Sequence, residues 1–454
     1  MKRRKIIWSG LLVLCAGPAL VSCATYVPAP LPHGLDPDPS SETLDQAIAA
    51  RYGRQATDVP IDLSRALTPD QLGLIAVISN PDLRAQRARL GVAGAQVFEA
   101  GLLPDPQFSF SLDHPGAGPG LVDALAASLG MDISALYTRP QTLRGARATR
   151  TQVRLDLAWL EWQTANQARL LAARVIGLEA TLAAADEAHS LSSSILERTL
   201  RAVAHGDLSA SDLETRRIGE ADAGDRVRTV ERDLQTARIA LNTTLGLSPA
   251  FSITLTPPAA PPACLPNTAR LVDEAIASRP DLAALRAGYD AQDANLRIAL
   301  LRQYPRLNLS LNAARDTGAI RTNGVALGFD IPLWNRNRGQ IAVQNATREQ
   351  LRAEYSARLY STRSDLATLV SAYRIGKRQR EDLAGQVVPL RLTVDAFERA
   401  AARGDIATIT SETARLTLLD KEFALASIDQ GLAEQWSAIQ LTTGRALREN
   451  ECDE

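Results

Sequence analysis

The chain is poor in side chains that do covalent or metal chemistry. It has four Cys and four His, and His33, His114, His189 and His205 are scattered along it. There is no H-E-x-x-H, C-x-x-C or G-x-S-x-G motif and no glycine loop that would cradle a phosphate. The reading is therefore not an enzyme, with no metal site and no cofactor beyond a covalent lipid. His205 precedes a glycine and reads as a helix end rather than a ligand. One cysteine has reactive context. A basic stretch, Met1 to Lys5, is followed by an apolar run, Ile6 to Ala19, interrupted by Ser9, Gly10, Gly17 and Pro18. That run is too short to span a bilayer and reads as a signal peptide. It ends in Leu20-Val21-Ser22-Cys23, the lipobox pattern in which small residues precede a cysteine that is acylated and becomes the mature N-terminus. Two or three acyl chains on Cys23 would anchor the protein stably. Ala24, rather than Asp, follows it, which resembles sorting to the outer membrane of a Gram-negative cell. Cys264 and Cys452 can form a disulfide in an oxidising compartment, joining the two ends of the second half of the chain.

Composition narrows the class further. The 454 residues are 45% apolar but only 4% aromatic. Ala, Leu and Arg dominate, the profile of long helices with slim seams. Length alone suggests roughly three domains. With 50 basic and 51 acidic residues the net charge is −1, so no field recruits nucleic acid and no nucleic-acid partner is expected.

An internal repeat replaces the three-domain estimate. Pro81-Asp82-Leu83 recurs as Pro280-Asp281-Leu282, Pro106 as Pro305 and Ser111-Leu112 as Ser310-Leu311, each 199 positions on. Asp132-Ile133 recurs as Asp330-Ile331, Ala148-Thr149-Arg150 as Ala346-Thr347-Arg348, Gly206-Asp207 as Gly404-Asp405 and Gly246 as Gly444, now 198 positions on. One single-residue length change between Asp113 and Leu129 reconciles the two registers. The expected organisation is a signal peptide (1–22), an acylated, extended, proline-rich segment (23–60), a first repeat (61–248), a proline-rich linker (249–268), a second repeat (269–446) and a tail (447–454).

Each repeat has one order of elements. Asn80-Pro81 opens a helix of about 24 residues. Two alternating segments follow. Phe108, Phe110 and Leu112 face one way, then Ala127, Leu129, Met131 and Ile133. In the second repeat Leu307, Leu309 and Leu311 are followed by Val325, Leu327, Phe329 and Ile331. A long helix then runs from about Leu143 to Ala204, close to 62 residues and roughly 93 Å. It breaks at His205-Gly206-Asp207, and a return helix runs from about Ser209 to Leu245. The second repeat breaks likewise at Arg403-Gly404-Asp405. The short helix and the return helix together match the long one, so two short helices should stack end to end beside it. Glycine lets the chain reverse at the breaks, and Asp207 and Asp405 are placed to cap the helices that follow.

The strands are about 8–11 residues long, the length of outer-membrane β-strands, with Ser, Asn, Gly and Asp on the polar face. Four strands cannot close a barrel, and an open edge is not tolerated in lipid. Closure must come from other copies: three chains give twelve strands, two give eight.

These residues resemble the TolC-like outer membrane efflux protein family, in its lipoprotein branch, over essentially all of Leu44 to Arg445. The resemblance rests on the duplicated Pro-Asp-Leu helix starts, Pro106 and Pro305 ahead of the strands, and the two glycine turns. The stretch Phe329-Asp330-Ile331-Pro332-Leu333-Trp334-Asn335-Arg336-Asn337-Arg338-Gly339 looks like members serving heavy-metal resistance. The resemblance implies a mainly α fold with a membrane β part: a β-hairpin plus long helical hairpin, duplicated, in a homotrimer whose 12-stranded β-barrel continues as a 12-helix periplasmic α-barrel. It implies an inner membrane pump and a periplasmic adaptor (membrane fusion protein) as partners, beside outer membrane lipid. It assigns adaptor docking to the turns Gly206-Asp207-Leu208-Ser209 and Gly404-Asp405-Ile406-Ala407, flanked by Arg201 and Arg399. It also places acidic gating rings just beyond the second turn, where Glu412 is the only acid, with Asp212 and Glu214 near the first. The function so implied is a passive outer membrane duct for drugs or metal ions in a tripartite efflux system. The alternatives are a type I protein secretion duct, or a non-conducting periplasmic spacer lipoprotein, which needs no alternating strands.

Overall fold

The computed structural model describes residues 25–34, 37–52, 61–257 and 265–447. Cys23, Cys264 and Cys452 lie outside the described residues. The chain divides into two units between Asp38 and Pro39. In the first, residues 25–34 are exposed and carry neither helix nor strand.

The second unit starts with a correction. The segment to Pro60 was expected to be extended throughout, but Ser41–Tyr52 is a helix, α1. Prolines stop at Pro39, and Ser40 then turns the chain: its hydroxyl accepts from the Thr43 N–H at 3.2 Å. Leu44 and Ile48, four residues apart on one face, are 1% and 2% exposed and join the core of the first repeat. Two further helices were not anticipated, α2 (Pro69–Ser79) and its counterpart α6 (Thr268–Ser278). A single residue, Asn80 or Arg279, separates each from the Pro-Asp-Leu start of the next helix. Thr68 and Gln71 form a capping box at the head of α2.

The remaining elements follow the duplicated order. They are α3 (Pro81–Gly101), β1 (Gln107–Asp113), β2 (Ala124–Asp132), α4 (Ser134–His205) and α5 (Ala210–Leu245), then α7 (Pro280–Leu301), β3 (Leu307–Arg315), β4 (Arg321–Phe329), α8 (Arg338–Ala402) and α9 (Thr408–Thr443). The long helix α4 has 72 residues, starting well before the expected Leu143. The Asp132 carboxylate accepts from the Ser134 N–H at 2.8 Å and starts the helix early. Pro140, inside α4, lies near its beginning, where its missing N–H costs a single ladder bond.

Helix α4 is the spine of this unit, packing against α2, α3, α5, α7 and α9. Its seams are thin. On α7 the buried residues include Ala284, Ala287, Ala291 and Ala294, and a Cβ on Gly145 of α4 would lie 3.4 Å from that of Ala294. A Cβ on Gly177 would lie 2.5 Å from Gln430 of α9. Alanine and glycine thus bring the helix axes close, which accounts for a fold built with few aromatics.

The end-to-end stacking occurs in both repeats. The Asn80 side chain, at the head of α3, donates to the Thr244 carbonyl at the end of α5, 3.0 Å away. In the second repeat Ser278 donates to the Thr443 carbonyl at 2.7 Å and Arg279 to that of Thr442 at 3.2 Å. Gly246 and Gly444, both left-handed, close these joints; a Cβ on Gly246 would lie 2.6 Å from the Ser79 carbonyl oxygen. The Pro249–Pro266 linker is not all loop. Leu255 pairs with Leu67 in a parallel bridge, and Phe251, Ile253 and Leu255 pack on the first core.

Candidate functional site

The four strands form one antiparallel sheet in the order β1-β2-β3-β4. Its register puts the expected apolar side chains within the strands on one face, while Ile133 and Ile331, expected to continue it, lie just beyond the ends of β2 and β4. Phe108 pairs with Leu129, Leu129 with Leu311 and Leu311 with Val325, a continuous row across the sheet. Neighbouring rows hold Phe110, Ala127 and Ala313, and Met131, Leu309 and Leu327. The opposite face carries Ser109, Ser128 and Asn312 in one row and Ser310 and Gly130 in another. The apolar face is uncovered: Phe108, Phe110, Leu311, Val325 and Leu327 are all exposed. Among the described residues, β1 and β4 are each paired on one side only. Such a sheet suits a surrounding that is apolar on one face and wet on the other, with its edges closed by other chains. No helix among the described residues is long and apolar enough to cross a membrane.

At the other end of the long helices are the two turns. Gly206 is left-handed with φ 84°, and the Asp207 N–H reaches back to the Ala202 carbonyl at 2.9 Å. Gly404, at φ 79°, repeats this, with the Asp405 N–H on the Ala400 carbonyl at 2.9 Å. Both close a Schellman-type end that requires positive φ. The expected caps are corrected. Helix α5 is capped by Ser209, in a capping box with Asp212, and Ala407, at the N-cap of α9, offers no side-chain cap. Asp405 instead accepts from Arg403 at 2.8 Å. Asp207 is two residues too early to cap, because the turn consumes it. Arg201, Arg399, Leu208 and Ser209 are exposed, and Ile406 is half-buried.

The three acidic candidates do not share one environment. Glu412, in the second turn of α9, is held by Arg198 of α4, and its side chain is only 12% exposed. Asp212 is exposed and belongs to the capping box; the Ser209 hydroxyl, then the Ser209 N–H, hold its carboxyl below the ordinary aspartate value. Glu214 pairs with Arg217 at 2.8 Å on the open face of α5. Sequence reasoning did not find the ladder of ion pairs that fixes α9 in place. Arg198–Glu412 and Arg415–Glu187 tie α9 to α4, Arg226–Asp420 ties it to α5, and Arg391–Glu422 and Arg380–Asp429 tie it to α8. The bond to Glu187 is the main cause that raises Arg415 above the ordinary arginine value. Partners up to 228 residues apart leave no local signal.

Among the described residues no three His, Cys, Asp or Glu converge as metal ligands. His114 faces Asp123 in the β1–β2 turn and His189 faces Glu220 between α4 and α5.

A one-faced sheet set on a duplicated helical hairpin is the protomer fold of TolC-like outer membrane channels. The CmeC outer membrane channel of Campylobacter jejuni superposes with a TM-score of 0.68 over 94% of this chain and 96% of its own, at 13% identity. The cobalt-zinc-cadmium resistance protein CzcC of Cupriavidus metallidurans is 25% identical over 335 residues, 73% of this chain and 77% of CzcC. The pyoverdine export outer membrane protein OpmQ of Pseudomonas putida is 26% identical over 405 residues, 82% of this chain and 83% of OpmQ. Residues 271–445 match the family model for outer membrane efflux proteins. Over residues 271–445 the chain thus carries the match to outer membrane efflux proteins, and the proteins and structures it resembles include an outer membrane export protein and an outer membrane channel. Its place is the Gram-negative outer membrane, with a large periplasmic part.

Proposed function

We propose that the protein is the outer membrane duct of a tripartite efflux system, passively exporting small toxic compounds, drugs or metal ions, that an inner membrane pump and a periplasmic adaptor deliver. The observation that carries this is the four-stranded sheet with an exposed apolar row running from edge to edge of one face and two open edges. A periplasmic spacer has no use for it. Three copies supply the twelve strands of a closed barrel, and their helices continue it as a twelve-helix tunnel. Apolar side chains left uncovered on α8 (Val343, Tyr360, Ile375, Val388) and on α5 (Ile218, Ile239) supply the contacts between copies. Acyl chains on Cys23 fix the N-terminus in the same membrane. The turns at Gly206 and Gly404 meet the adaptor, with Arg201 and Arg399 at their rims, and the acids beyond the turns, Glu412 first, narrow the tunnel. CzcC, named for cobalt, zinc and cadmium resistance, makes metal ions the first cargo to try.

Single-channel recording in planar bilayers tests the reading. The purified full chain should give discrete, cation-preferring openings. A chain that inserts and never conducts would be the spacer instead.

A further inference from the structure

Where β3 and β4 meet the helices lies a recess of about 610 Å³ that the duct does not account for. It is lined by Arg302, Arg306 and Arg336, by Asp132 and Asp330, and by the rings of Tyr137 and Tyr304. The two acids are engaged. Asp132 holds the start of α4, and Asp330 faces Arg306 at 3.6 Å. Arg302 and Arg336 are exposed, and among the described residues neither has a carboxylate within ion-pair distance. The recess therefore carries surplus positive charge in a fork geometry suited to a phosphate.

The loop beside it is apolar where solvent would be expected. Phe329 ends β4, and in the loop beyond it Ile331, Leu333 and Trp334 are all exposed, Trp334 at 82%. The loop is nonetheless pinned. Arg338 donates to the Trp334 carbonyl at 2.9 Å, and Asn337 donates to the Ala299 carbonyl at the end of α7, 2.7 Å away. Arg336 and Asn337 are held with φ of 45° and 55°, a left-handed pair without glycine. An anchored loop with an outward tryptophan beside a phosphate-sized arginine recess, at the level where the strands end, combines the two halves of a lipid contact.

We propose that this recess binds the phosphate headgroup of an anionic phospholipid in the periplasmic leaflet, with Arg302 and Arg336 on the phosphate and Trp334 against the acyl boundary. The proposal rests on the barrel reading above. The test uses the purified full chain, titrated with phosphatidylglycerol or phosphatidylcholine and read by native mass spectrometry. The wild type should retain phosphatidylglycerol over phosphatidylcholine, and millimolar inorganic phosphate should not displace it. Arg302→Gln with Arg336→Gln should cut retention at least fivefold, and Trp334→Ala should weaken both lipids. Equal retention of the two lipids, or no loss in the double variant, overturns the proposal. Displacement by phosphate overturns it in favour of a soluble anion. Should the double variant fail to assemble, the wild-type lipid preference and phosphate insensitivity still decide. Wild-type conductance, measured separately, shows whether the barrel reading itself holds.

Discussion

Arg279 donates two parallel hydrogen bonds to Asp281, Nε to Oδ1 at 2.9 Å and Nη2 to Oδ2 at 2.7 Å, with the two side chains 6% and 11% exposed. The same guanidinium lies 4.6 Å from the ring centroid of Trp159 on α4 and donates to the last turn of α9. One arginine thus joins α7, α9 and α4 at the second joint. Removing it strands a buried carboxylate, with only Arg358 nearby at 4.0 Å. Arg279→Ala should cost about 3–5 kcal/mol. Arg279→Leu with Asp281→Leu, which leaves no charge behind, should cost clearly less. Chemical denaturation of the two variants checks the order.

The close approach of α4 and α9 makes a second prediction. A Cβ at position 177 would sit 2.5 Å from both Cβ and Cγ of Gln430, so the backbone must move rather than a side-chain tip. Gly177→Ala should destabilise by about 1–3 kcal/mol. Gly219 on α5 faces open space and is exposed. Gly219→Ala should stabilise by about 0.5–1 kcal/mol, because alanine is the better helix former. Opposite signs for the same substitution, measured as shifts in thermal midpoint, distinguish packing from propensity.

Much of this fold was legible in the chain, for identifiable reasons. The strands announced themselves because a sheet between two media needs strict alternation, and Phe108 to Leu112 and Leu307 to Leu311 keep it. The glycine turns were legible because Gly206 and Gly404 must be left-handed. Helix α2 was not legible, because Leu72, Ile75, Ala76 and Val77 are buried on several sides and show no amphipathic period. Helix α1 was hidden behind the prolines that precede it. The joint was half legible. The repeat aligned Asn80 with Arg279, but that an amide and a guanidinium reach the same carbonyl ladder required the fold. The ion pairs on α9 were invisible for a related reason, since each joins residues that only the hairpin packing brings together.

The two capping sites differ although the repeat relates them. Ser209 and Asp212 exchange hydrogen bonds at the head of α5, whereas Ala407 offers none at the head of α9. Ala407→Ser should therefore stabilise the α9 tip by about 0.5–1 kcal/mol, and Ser209→Ala should fray α5. Asp212 adds a pH dependence with a defined sign. Its carboxyl is held below the ordinary value in the folded state, so its contribution is present above the unfolded value near 3.8 and is lost as the pH falls through the folded value. Protection of the amides of residues 210–214 against exchange, taken relative to the intrinsic rate at each pH, should fall on acidification in the wild type and be low at every pH in Ser209→Ala.

The two faces of the sheet can be told apart by a charge. Leu311 lies in the middle of the apolar row and Asn312 beside it faces the other way. Leu311→Arg should cost about 2–4 kcal/mol of membrane stability, the range for arginine near the midplane of a barrel. Asn312→Arg should fold and shift ion selectivity towards anions. Heat-modifiable migration on gels reports the first effect and reversal potentials the second.

The contact between Arg198 and Glu412 gives the sharpest test of gating. Glu412 is nearly enclosed and its partner comes from α4, so the pair holds the beginning of α9 against the first hairpin. If this clasp narrows the tunnel, losing either member should act in the same direction. Glu412→Gln removes the charge and leaves a weaker acceptor; Arg198→Ala removes the donor and leaves a carboxylate with nothing to hold it. Both should raise the closed-state conductance, and the double variant should be no leakier than the worse single one, because the two share one interaction. Arg228→Ala serves as control. It breaks an exposed i, i+3 pair with Asp225 that involves α5 alone and no acid near the turns, and exposed pairs of that kind are worth little. Closed-state conductance unchanged in both Glu412→Gln and Arg198→Ala would leave the clasp a structural tie and move the gate elsewhere along the tunnel.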